Sequence, residues 1–208
     1  MTRIQKLSVF VFILALAAPL YADSGGPDGY GYYWMDEAEA SVGYSWIPVD
    51  TTNEVALVDD DDEIGSLPLP FDVRFYGTTY SDSIFASTNG LLGFDPDYLE
   101  AYWNDSIPNS STPNAIIAPL WDDQIREPES HIYYQVEGTS PNRILVVTWY
   151  NWYFLAATTD SADDLYYQAL IYEAGPGEDN EIKFQYDDVV STSLSHTEGA
   201  DATVGIEN

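Results

Sequence analysis

The stretch LPLPFDVRFYGTTYSDSIFASTNGLLGF, Leu67 to Phe94, decides the fold. Phe71, Val73 and Phe75 alternate with Asp72, Arg74 and Tyr76, the period of a strand with one buried face. Pro68 and Pro70 lack an N–H, which suits an edge or first residue of a strand and not its middle. Gly77-Thr78-Thr79 turns the chain, and a second run, Tyr80 to Ser87, reaches Asn89-Gly90, a dipeptide suited to a tight hairpin because both residues tolerate positive φ. The stretch therefore predicts the central ladder of an all-β domain.

Outward from it the same grammar recurs. Upstream, Tyr44 to Val49 and Val55 to Val58 have strand composition, and Asp36 to Ala40 could form a single helical turn. Downstream, Tyr98 to Pro113 is turn-rich and predicts a long surface loop. It holds two glycosylation-type triplets, Asn104-Asp105-Ser106 and Asn109-Ser110-Ser111. Ala115 to Trp121 is an apolar strand, with Trp121 in the core, ending in Asp122-Asp123. Four strands then follow, His131–Val136, Arg143–Tyr150, Leu165–Tyr172 and Glu181–Tyr186, and a last one begins at Ala202. Consecutive strands with short turns predict an antiparallel β-sandwich, jelly-roll-like or Greek-key.

The N-terminus is a separate object. Arg3 and Lys6 precede the apolar run Leu7 to Leu20, and Leu20-Tyr21-Ala22 offers a cleavage site, the pattern of a secretory signal peptide. The run is shorter than the ~20 residues of a membrane span, and Asp23 follows at once, so no span remains after cleavage. The expected organisation is a signal peptide over 1–22, a Gly-rich extended leader over 23–33 and a β-sandwich over 34–208. The protein is expected to be secreted or at the cell surface. Without cysteine it has neither a disulfide nor a lipid-attachment thiol, so stability rests on a core that 31 aromatic residues can supply.

Removing Arg3 and Lys6 takes the net charge from −29 to −31, with Arg74, Arg126, Arg143 and Lys183 against 35 acidic residues. Such a field disfavours nucleic acid and anionic lipid as partners. The acids can serve solubility, including in a saline habitat, or some can hold Ca²⁺, a cation satisfied by oxygen ligands. Asp122 and Asp123 are the better candidates because a strand end aims them. The block Asp59, Asp60, Asp61, Asp62 lacks the alternating spacing of an EF-hand loop.

No nucleophile-elbow, zinc-helix or phosphate-loop motif occurs, and His196 lies in a polar run expected to be a solvated loop. Paired carboxylates keep a glycoside hydrolase open. Trp103, Tyr102 and Trp152, with Tyr98 and Tyr153, could form a sugar-stacking platform, or pack in the core.

Gly26 to Glu37, Tyr44-Ser45-Trp46-Ile47, Leu57 to Asp62, Leu67 to Phe71, Phe75-Tyr76-Gly77, Ser87-Thr88-Asn89-Gly90, Ile117 to Asp123 and Thr203 to Asn208 together resemble a β-sandwich module of large secreted bacterial proteins. Such modules sit beside subtilisin-like peptidase domains, adhesion repeats and sorting signals, and usually run on past the Val-Gly-Ile-Glu-Asn element, which implies that the sandwich continues past Asn208. The Phe-Tyr-Gly, Ser-Thr-Asn-Gly and Ala-Pro-Leu-Trp-Asp-Asp elements are similar to those of the extracellular nidogen-type domain. The resemblance implies a non-catalytic accessory or adhesion-like module, whose partners are an extracellular protein, a glycan or neighbouring domains of the same polypeptide. A carbohydrate-binding module and a carboxylate-dependent glycosidase are the alternatives, and no cofactor beyond calcium is expected.

Overall fold

The computed structural model describes residues 24–37, 42–58, 62–155, 157 and 163–208. The signal-peptide pattern, the proposed helical turn after Asp36 and the acids Asp59, Asp60 and Asp61 thus fall wholly or mainly outside the described residues. The chain forms two compact units, Met1–Tyr44 and Ser45–Asn208. In the first, β1 (Ser24–Gly25) pairs antiparallel with β2 (Trp34–Met35). The leader expected to be extended is a small hairpin, because the Asp28 carboxylate accepts from the amides of Tyr30, Gly31 and Tyr32 and fixes the turn.

The second unit carries β3 (Ile64–Pro68), β4 (Val73–Phe75), β5 (Thr78–Tyr80), β6 (Ser83–Ser87), β7 (Leu92–Gly93), β8 (Ile116–Trp121), β9 (Gln124–Ile125), β10 (His131–Glu137), β11 (Ile144–Phe154), β12 (Leu165–Tyr172), β13 (Ile182–Asp188) and β14 (Thr203–Glu207). One antiparallel sheet has the order β14-β8-β7-β6-β3, and the other is the meander β10-β11-β12-β13 with β9 also on β11. Strand β3, with Pro68, lies at a sheet edge as its prolines require. Pro119 sits inside β8, where the β14 register slips between Thr203 and Gly205, so its missing N–H costs no ladder bond. The all-β antiparallel sandwich expected from the alternation is the observed fold.

The sheets are tied across the core by side chains. Trp149, fully buried on β11, stacks on Tyr167 at 4.9 Å and donates from Nε1 to Ser87 O at 2.9 Å. Tyr167 OH donates to Gln124 Oε1, and Tyr186 OH to Pro119 O. The other face of the meander is covered as well. Gln185, Gln168 and Thr148 share a register row across it, and the amides of Ser45 and Ile47 donate to Gln185 Oε1 and Gln168 Oε1. The amide of Asp50 likewise donates to Gln135 Oε1. Tyr44 to Val49 is therefore no strand, because buried glutamines take the amides that a neighbouring strand would have used. Val55 to Val58 is no strand either: the bridge to Tyr133 is made by Glu54 just before it, and Val55 N donates to Ile132 O.

At the loop before β11, Arg143 makes a fork to Glu173, Nε to Oε2 at 2.8 Å and Nη2 to Oε1 at 2.6 Å, while Nη1 reaches Pro70 O. The Arg143 hydrogen bonds hold the Glu173 carboxyl down at about 2, against 4.5 unperturbed. A carboxyl depressed on folding stabilises above its unfolded value and loses that contribution as pH falls through its folded one. The acid limb of the melting curve, from pH 4.5 down to about 2, is therefore expected to be shallower in Glu173→Gln than in the parent. Thermal melts across that range check this.

Candidate functional site

The organising stretch and the Asp122-Asp123 strand end meet at the Asn89 turn. That turn is a three-residue loop, Thr88-Asn89-Gly90, in which Gly90 N donates to Ser87 O and Ser87 N to Leu91 O. Only Gly90 is left-handed, at φ 76°. The two-residue turn with both φ positive lies instead at Tyr76 and Gly77, between β4 and β5. Asn89 is fully buried. Its Nδ2 donates to Asp62 Oδ1 and to Glu100 O, both at 2.9 Å, and its Oδ1 accepts from Gln124 N at 2.9 Å. The same residue thus holds the chain just past Asp122-Asp123 and the start of the 98–113 loop. Trp121 adds a second tie to that loop, its Nε1 donating to Ala101 O, and is buried as expected.

These ties set the walls of a cleft of about 180 Å³. It is lined by Tyr102, Trp103, Asn104, Asp122, Asp123, Leu155, His196 and Asp201. Trp103 is 76% exposed and Tyr102 40%, and their rings lie 5.5 Å apart, tilted by 45°. Asn104 donates to Asp201 O, fixing the loop to the segment before β14. Asp122 is buried. Its Oδ2 is 3.0 Å from His196 Nδ1 and its Oδ1 accepts from Asp123 N.

The structure thus brings Asp122, Asp123, Tyr102 and Trp103 to one place and puts Trp152 elsewhere. Trp152 is fully buried on β11, with Nε1 donating to His131 O, so it offers no surface to a ligand. Tyr153 is buried too. Of the second acidic group only Asp62 is described, and it serves Asn89, while Asp59, Asp60 and Asp61 lie outside the described residues. Among the described residues no three His, Asp or Glu side chains gather into a group that could hold a metal ion. Ca²⁺ takes about six to eight oxygens, whereas protein donors already engage the Asp122 carboxylate.

His196 corrects the expectation of a solvated loop. Besides meeting Asp122, its ring stacks on Phe154 at 5.5 Å, so a buried carboxylate and a buried aromatic fix it. Neither it nor Asp201 was visible as a site residue, because both lie in a polar run far along the chain from the residues they meet. His131, the other histidine, pairs with Glu54 at 2.7 Å on β10, away from the cleft.

No curated protein and no solved structure matches the chain. A family model described as NIDO related does match, over residues 37–208, which include every strand of the sandwich and the whole cleft. The chain belongs to the NIDO-related family.

Proposed function

We propose that this chain is an extracellular, non-catalytic binding module whose ligand-contacting face is the Tyr102–Trp103 cleft. The observation that carries it is Trp103, a large apolar side chain held 76% exposed over a formed cleft by a loop tied down through Asn89, Asn104 and Trp121. Large exposed aromatics on rigidly anchored loops mark contact surfaces. Family membership and the signal-peptide pattern support an extracellular setting, and the acidity argues against nucleic acid. No described helix is long and apolar enough to cross a membrane. Calcium stays outside this proposal, given the partners of Asp122.

The test is a binding screen of the protein and its Trp103→Ala variant against polysaccharides and extracellular-matrix proteins, with sugar release monitored in parallel. Retention without turnover, weakened about tenfold or more by the truncation of this anchor, is the expected result. Sugar release abolished by Asp122→Asn or Asp123→Asn would make the chain a glycoside hydrolase instead.

A further inference from the structure

Given the proposed binding face, its chemistry narrows the ligand. Three aspartates line the cleft, Asp122 buried against His196 and Asp123 and Asp201 beside it, and none of the described Lys and Arg residues does. Arg74 and Arg143 are drawn to Asp179 and Glu173 elsewhere. Two aromatic rings, Tyr102 and Trp103, line the same cleft, and Trp is the best aromatic partner for a cation. A 45° tilt between neighbouring rings does not make one flat platform for the face of a sugar. It makes a crease, in which a compact cation meets both rings. Leu155, 54% exposed on the same cleft, offers an apolar surface to the aliphatic stem that lysine and arginine carry below their charge.

We propose that the cleft takes a lysine or arginine side chain presented by a basic segment of a protein partner. The acidic surface around it, net −29 over the chain, steers such a segment in and repels anionic glycans.

The probe is a fluorescein-labelled oligo-arginine peptide read by polarisation, beside a Gly-Ser peptide and neutral oligosaccharides. Oligo-arginine is expected to bind, and Trp103→Ala and Asp201→Asn each to weaken it about tenfold, the worth of a partly desolvated cation contact. Both side chains are exposed, so these variants keep the fold. The double variant Glu178→Gln with Glu181→Gln removes more charge from exposed positions remote from the cleft and is expected to leave affinity unchanged. An equal loss in that double variant, or affinity independent of Trp103, overturns the inference, since the peptide is then reading net charge. Trp103-dependent binding of a neutral oligosaccharide without oligo-arginine overturns it too, but leaves the binding face standing. If no probe depends on Trp103, the binding face itself fails.

Discussion

Gly90→Ala is expected to cost at least about 4 kcal/mol, a large part of the ~5–15 kcal/mol that holds an ordinary domain folded. A Cβ there would stand 1.9 Å from Leu120 O and 2.7 Å from Gln124 Nε2, at φ +76°. Leu120 is in β8, whose backbone cannot retreat, because β14 pairs with it on one side and β7 on the other. Gly177→Ala separates the two penalties. It too has a left-handed φ, +83°, but nothing lies within 4 Å of its added Cβ. Only the conformational cost of about 1–2 kcal/mol remains there. Denaturant unfolding of the two variants measures the difference, and equal losses would mean that β8 does yield at Leu120.

Asn89→Asp, nearly isosteric, is expected to cost about 3–5 kcal/mol, the scale of an uncompensated buried charge. It replaces the donor that serves both Asp62 Oδ1 and Glu100 O by an oxygen, so three acceptors face one another around a fully buried position 89, with water reaching only the exposed Asp62. Adding Asp62→Asn restores one donor and removes one charge, and the double variant is expected to recover part of the loss while Glu100 O stays unsatisfied. Equilibrium unfolding of the four proteins in this cycle gives the coupling, and additive losses would show that Asn89 and Asp62 do not interact in solution.

Where the chain alternates or runs apolar, the fold was legible. Strand β12 spans the expected residues, and β8, β10, β11, β13 and β14 lie within a few residues of theirs. What failed to show was tertiary satisfaction of the backbone. The aromatic run at Tyr44 to Val49 has strand composition, yet its amides go to Gln168 and Gln185, partners that no local pattern announces. Asn89-Gly90 was correctly a turn, but its loop length follows from how β8 abuts Gly90. In the cleft, Asp122 and Asp123 stood out because a strand ends on them. Trp152 misled because an indole in an aromatic strand can serve either a ligand or the core, and the cover on both sheet faces puts this one in the core. His196 and Asp201 were illegible, since proximity to Asp122 is made by the return of β14 alongside β8.

That return also sets an order of assembly. His196 meets Asp122 across 74 positions of chain, and Asn104 reaches Asp201 across 97. Contacts that close such long loops are slow to form, because the entropy of closure is lost before any contact compensates it. The β10–β13 meander can gather from neighbouring hairpins, but the cleft lacks its His196 and Asp201 lining until the segment before β14 is in place. Ligand capture by this chain would thus report completed folding: a molecule that had misplaced only its last segment would keep its core and lose its grip.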